Sequence, residues 1–279
     1  MTNSLIEAFL DYLHSERRLS FHTRRAYRYD LEQFFSFVGH DVDAANITSE
    51  DVERYVAYLH RERQNAPRTI ARRVSTLRSF FRFLSQPPWG LTLDPTGFSG
   101  PVSKGSLPPH YLTEGEENRF LRACLRYGSW PSRDFCLFRL FLSCGCRLAE
   151  VVELTVADVD LGRSLLVVRG SSGARTLQLH RWTRLALQQY LLERGELSIP
   201  NLFVNYYKTR GLSPRGIQYL FKRLAKKAEI DHPRVTVHTL RITYLVRLTA
   251  QGLNERTIQE LAGHRSLATT RRYTRTQTA

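Results

Sequence analysis

Apolar residues recur at helical spacing through the first 85 positions. Leu5, Phe9, Leu10 and Leu13 mark one face of a first helix, and Tyr27, Leu31, Phe34, Phe35 and Val38 mark a second, behind a cap region at Ser20. Thr48 and Asp51 form a capping box that opens a third helix, carried by Val52, Tyr55, Val56 and Leu59. Ile70, Val74, Leu77, Phe80, Phe81 and Leu84 set a fourth. The rhythm then stops: between residues 86 and 111 stand six prolines and four glycines, a linker by composition. The pattern divides the chain into a helical domain over 1–88, a linker over 89–111 and a second domain over 112–279.

In the second domain Thr113 and Glu116 cap a new helix. Phe135, Leu137, Phe138, Leu140, Phe141 and Leu142 make another, which runs into Gly145 and Arg147. Short strands at 165–169 and 176–179 around the turn Gly170-Ser171-Ser172-Gly173 read as a hairpin. Helices are expected at 182–193 and, after Ser213-Pro214, at 218–229. Leu240, Tyr244, Leu245 and Leu248 then carry a helix that places His238 and Arg241, three apart, on one face, so a base and a cation are offered together. Gly252 and Gly263 each follow an apolar run and are expected as helix stops. That leaves Gly263-His264 at a corner and Tyr273 nine residues beyond His264, after one more short helix. The fold class predicted is mainly α with a small antiparallel β-sheet, in two domains.

Charge narrows the partner. The chain has 41 Lys+Arg against 26 Asp+Glu, a net +15, and 36 of the 41 are Arg, whose planar fork grips phosphate best. A polyanion is the natural partner by electrostatics alone. Residues 89–279 hold 28 bases and 15 acids, so the second domain carries most of the excess. In the first domain Arg24, Arg25 and Arg28 on the second helix, and Arg68, Arg72, Arg73, Arg78 and Arg82 on the fourth, occupy polar faces. The acids gather around the third helix. That segregation favours a DNA-facing surface over a merely solvated one.

Other chemistries find no support in the sequence. Cys124, Cys136, Cys144 and Cys146 lack paired spacing and nearby histidines and read as core thiols; Cys146 is noted because it precedes Arg147. There is no Walker loop, no dinucleotide fingerprint behind a strand, no metal-ligand set and no long repeat, so catalysis is expected from side chains alone, without cofactor or metal. No stretch approaches 18 apolar residues and the N-terminus has no signal-type apolar run, so a cytoplasmic protein away from the membrane is expected.

Four separated elements carry a resemblance. Gly145-Cys146-Arg147-Leu148-Ala149-Glu150 fits G-x-R-x-x-E, His238-x-Leu240-Arg241 fits H-x-x-R, and Gly263-His264 is followed nine residues after the histidine by Tyr273. Together they resemble the tyrosine recombinase (phage integrase) family, and QELAGHRSLATTRRYT is nearest its Xer-type bacterial members. The pattern L-S-x-x-T-x-x-x-Y through Ser20, Thr23 and Tyr27, and the segment from Arg68, resemble the four-helix, SAM-like core-binding domain of those members, which straddles DNA opposite an α+β catalytic domain.

The resemblance implies a site-specific recombinase that needs no ATP. Tyr273 would attack a DNA phosphate to give a 3′-phosphotyrosine and a free 5′-hydroxyl. Arg147 and Arg241 would clamp the non-bridging oxygens, His238 would move a proton, His264 would donate to the phosphate, and Glu150 would orient Arg147. It also implies double-stranded DNA as partner and a tetramer, of one recombinase or of two different ones, on two paired sites. Two departures stand out. The family carries a lysine in the hairpin turn, where this chain has Ser171 and no lysine between Lys104 and Lys208. Arg175, beyond the turn, is a candidate phosphate contact but scarcely releases a proton. Only six residues follow Tyr273, fewer than is usual for Xer-type members. The lost lysine lends weight to one rival, a catalytically weakened DNA-binding paralogue; a second, of another class, is a basic helical nucleic-acid binder in which Tyr273 is merely structural.

Overall fold

Four helices pack around an aromatic core in the N-terminal part: α1 (Thr2–Ser15), α2 (Phe21–Val38), α3 (Ser49–Arg61) and α4 (Pro67–Leu84). The computed structural model describes residues 2–17, 19, 21–39, 42–91, 95, 97, 110–170, 173–230 and 232–274. The chain splits into two compact units, Met1–Ser106 and Leu107–Ala279. In the first, each helix turns its predicted stripe inward, and edge-to-face pairs such as Phe9 with Phe80 (5.4 Å between centroids) and Phe34 with Tyr55 (5.2 Å) lock the helices at fixed angles. The capping box forms as expected: the Asp51 N–H donates to Thr48 Oγ1 (3.3 Å) and the Thr48 N–H to Asp51 Oδ2 (3.0 Å). The cap region expected at Ser20 and most of the expected linker lie outside the described residues. Leu91 still packs on the first core, its N–H donating to the Leu84 carbonyl (3.0 Å).

The arginines of this unit differ from expectation. Arg73 is buried at 7% exposure, donates to the Tyr55 hydroxyl (3.0 Å) and lies 3.9 Å from the buried carboxylate of Asp30. It belongs to the core and not to a DNA-facing surface. The i+3/i+4 series 70, 73, 77, 80 already places it on the apolar stripe of α4, and Asp30 supplies the counter-charge that makes burial tolerable. Arg72 also pairs with Asp30, and Arg28 with Glu7. Arg25, Arg68, Arg78 and Arg82 are exposed, and Arg24 is half-buried.

The second unit is a helical body with one small sheet. Helices α5 (Glu114–Tyr127) and α6 (Pro131–Cys144) lead to a short α7 (Leu148–Glu153). Strands β1 (Val159–Asp160), β2 (Leu165–Gly170) and β3 (Gly173–Gln178) form an antiparallel sheet in that order, with Val168 opposite Arg175 and Gly170 opposite Gly173. Ser171 and Ser172 lie outside the described residues, and with them the position the family gives to lysine. Then come α8 (Arg181–Arg194), α9 (Pro214–Lys227), α10 (Val237–Ala250), α11 (Glu255–Ala262) and α12 (Leu267–Thr274). The two-residue β1 and six-residue α7 are too short to impose a period on the sequence, so the hydrophobic pattern does not announce them. All four cysteines are buried and free, and burial pushes the Cys146 thiol well up, so it stays an inert core thiol. No described helix is long and apolar enough to cross a membrane.

Candidate active site

The site is assembled at the end of α6, the start of α10 and the end of α11. Gly145 stops α6 in the left-handed conformation (φ 57°), where a side chain would place its Cβ 2.2 Å from the Tyr244 ring. The turn sets Arg147 as the residue that opens α7 and puts Glu150 one turn on, where it accepts from the Arg147 N–H (2.7 Å). Glu150 is 3% exposed and accepts three further hydrogen bonds, from Arg147 Nη1 (2.8 Å) and from both Nη atoms of Arg175 (2.9 Å each). Burial works to raise its carboxyl. The Arg175 guanidinium, the Arg147 N–H and the Arg147 side chain outweigh that and hold it below the usual carboxylate range. Gly170, closing β2, leaves room for this: a Cβ there would stand 2.7 Å from Glu150 Oε1.

Three successive carbonyls at the end of α11 are each held by a different arginine. Arg175 Nε donates to Leu261 O (3.0 Å), Arg241 Nη2 to Ala262 O (2.7 Å) and Arg147 Nη2 to Gly263 O (2.5 Å). The last turn of a helix leaves its carbonyls without intrahelical partners and carries partial negative charge, so three cations there satisfy both needs. Gly263 (φ 63°) ends α11 against this rack, where a Cβ would come 2.9 Å from Arg175 Nη1. Arg241 is 2% exposed and also donates to Gly145 O, tying α10 to the end of α6. Burial, and then the neighbouring Arg147 charge, bring its pKa down to about 10, so it remains a cation at neutral pH.

Past the corner, His264 is buried, and desolvation followed by Arg241 and Arg147 lowers its pKa to about 4. It is a neutral imidazole under physiological conditions. Its ring stacks on Tyr273 at 6.0 Å, and its Nδ1 lies 2.9 Å from Thr270 Oγ1. Tyr273, half-buried on α12, packs against Tyr244, Leu245 and Ile258. Its hydroxyl lies 3.5 Å from His238 Nε2, the long edge of hydrogen-bond reach that catalytic pairs often show before substrate binds. Desolvation, Arg241 and Arg147 lower the His238 pKa as well, leaving its ring neutral and able to take a proton.

The structure thus brings Arg147, Glu150, His238, Arg241, His264 and Tyr273 together from segments 126 residues apart in sequence. Arg175 differs from expectation. Three of its donors are already engaged by Glu150 and Leu261, because the strand register beside Val168 delivers it to a buried carboxylate. The sequence marks Tyr244 only as part of a helix stripe and Gly170 only as part of a turn, and Thr270 not at all; none of the three is read there as part of the site. For Thr270 the available signal is its place three residues before Tyr273, on the same helix face. Among the described residues no group of His, Cys, Asp or Glu is arranged to hold a metal. A phenol beside a neutral imidazole, two guanidiniums with donors to spare and a second neutral imidazole are what displacement at a phosphodiester calls for without a metal.

The phage integrase family model matches residues 110–279, and the phage integrase N-terminal SAM-like domain model matches residues 6–86. The tyrosine recombinase XerC of Roseiflexus sp. (strain RS-1) is 34% identical over 285 residues, spanning 98% of this chain and 89% of that protein. The tyrosine recombinase XerD of Caulobacter vibrioides is 33% identical over 279 residues, 96% and 90% of the two chains. Among solved structures, a XerA recombinase aligns over 98% of this chain and 94% of its own at 29% identity and TM-score 0.55. A lambda integrase dimer bound to a COC′ core site shares the fold at 18% identity and TM-score 0.76, over 99% and 78%. With both family models matched and relatives above 30% identity along nearly its whole length, the chain belongs to the phage integrase family of tyrosine recombinases.

Proposed function

We propose that this recombinase cuts and rejoins duplex DNA at a specific site through a 3′-phosphotyrosine on Tyr273. The observation that carries the reading is the Tyr273 hydroxyl 3.5 Å from His238 Nε2, with the ring stacked on His264, which directly follows the corner held by Arg147 and Arg241. His238 accepts the phenolic proton, Arg147 and Arg241 bind the non-bridging oxygens as charge grows on them, and His264 donates to the same phosphate. Glu150 holds Arg147 to its task. The phosphotyrosine preserves the energy of the backbone bond, so a 5′-hydroxyl from another strand reverses the step without ATP. Neutral imidazoles and a cationic pair in one place are what a purely architectural binder has no use for, which supports the enzyme over the weakened paralogue.

In this reading residues 1–88 form the core-binding domain, 89–111 the linker and 112–279 the catalytic domain. Arg24, Arg25 and Arg68 contact phosphates, with Arg28 and Arg72 joining once DNA competes for their carboxylate partners. Protomers act as a tetramer on two paired sites in the cytoplasm, alone or with a second recombinase. The test uses a nicked suicide duplex carrying the recombination site, selected by binding from a random duplex pool. Wild-type protein should become trapped covalently on it, and Tyr273→Phe should bind equally well and trap nothing. An adduct that survives in Tyr273→Phe overturns the assignment.

A further inference from the structure

His264 is constrained from two sides. Its backbone N–H donates to the Gln259 carbonyl (3.0 Å) and its own carbonyl accepts from Gln259 Nε2 (3.1 Å), so the main chain at the corner cannot swing. Its ring is held from α12: Tyr273 stacks on one face, and Thr270, fully buried, meets Nδ1 at 2.9 Å. Among the described residues the Thr270 hydroxyl has no other hydrogen-bond partner.

A neutral imidazole carries one N–H, and which nitrogen bears it is set by the partner of the other. A hydroxyl can donate or accept, so Thr270 by itself fits either tautomer. The phosphate decides between them. With the proton on Nδ1, Nε2 would turn a lone pair towards phosphoryl oxygens. With the Thr270 hydroxyl donating to Nδ1, Nε2 carries the hydrogen and donates outward. We propose that Thr270 is a positioning residue, whose hydroxyl donates to His264 Nδ1 and fixes the Nε2–H tautomer that hydrogen-bonds the scissile phosphate. The inference rests on the role proposed above for His264. Because Thr270 and Tyr273 stand three apart on α12, one helix delivers the nucleophile and sets the tautomer together. A helix that withdraws its tyrosine also releases the histidine.

The test uses the full chain on the same nicked duplex. Thr270→Val keeps the shape and removes the donor, leaving a buried ring nitrogen unsatisfied; single-turnover cleavage should slow about tenfold at unchanged DNA affinity. Thr270→Ser should restore the rate to within about threefold, since it keeps the hydroxyl. Nitrogen-15 spectra of ring-labelled histidine, with the His264 signals identified by their loss in His264→Ala, should show Nδ1 unprotonated in the wild type and a mixture of tautomers in Thr270→Val. Wild-type cleavage by Thr270→Val, or a protonated Nδ1 in the wild-type complex, overturns the proposal, and the spectrum decides even where Thr270→Val folds poorly. If His264→Ala cleaves normally, the role given to His264 is what fails; if His264→Ala is impaired and Thr270→Val is not, Thr270 alone is misassigned.

Discussion

Replacing Glu150 by glutamine keeps the shape of the side chain and removes the charge on which the arginine rack is balanced. Glu150 accepts four hydrogen bonds, two of them from Arg175, whose side chain is 13% exposed. An amide offers one oxygen, so part of that donor set would face an NH2 group. Removing one partner from a buried ion pair costs roughly 3–5 kcal/mol. The lower end applies because Arg147 is partly open to solvent, giving about 3 kcal/mol for Glu150→Gln. With a urea m-value of at most about 3 kcal/mol/M, the midpoint should fall by about 1 M or more. Trp130 and Trp182 both lie in the second unit and report its unfolding by fluorescence.

The pH dependence gives a second reading of the same contact. The folded pKa of Glu150 is below its ordinary 4.5, so its contribution is fully present above pH 4.5. As pH falls further, the unfolded chain takes up a proton that the folded carboxylate refuses, and stability drops through the folded pKa. The difference between wild type and Glu150→Gln should therefore be constant at neutral pH and shrink below pH 4.5. His264, neutral in the fold until about pH 4, adds an acid-side loss beginning near pH 6.5, but both proteins share it and it cancels in the difference. A midpoint change under about 0.3 M, or a difference that does not narrow in acid, would refute the account of Glu150 as counter-charge to the rack.

Arg241→Ala should reduce cleavage of the suicide duplex ~10²–10³-fold while filter binding changes far less, because the guanidinium acts on charge that grows in the transition state; equal losses in both would make it an ordinary phosphate anchor. Gly263→Ala forces an L side chain into the left-handed region and against Arg175, so it should destabilise the second unit by at least ~1–2 kcal/mol and slow cleavage even where the fold survives; a wild-type melting temperature and rate would contradict the geometry of the corner. Positioned acid catalysis of an alkoxide leaving group is worth ~10²–10⁴, so with serine at 171 the chain should cleave a 5′-bridging phosphorothiolate much faster than ordinary DNA. Ser171→Lys should narrow that gap, whereas equal rates on the two substrates would show that another residue supplies the proton.

Much of this protein was legible before any coordinates. The long helices announced themselves because each buries a stripe of side chains every three or four residues, and both the capping box at Thr48 and the one at Thr113 are closed within one turn of chain. The candidate site residues were equally visible, since motif spacing is a property of sequence. Their partners were not. Arg175 and Arg73 have the same composition signature as a phosphate-binding arginine, and only the strand register beside Val168 and the packing of α4 on Asp30 show that each answers a buried carboxylate. The arginine rack joins residues 86, 116 and 21 positions apart, the last pair on neighbouring helices, and Thr270 acquires meaning only where α12 folds back on the corner at Gly263. Local periodicity and spacing decide which face of an element is apolar and which residues are chemically able. Which donor meets which acceptor is decided by contacts between elements, because a buried charge must find its partner wherever the fold puts one.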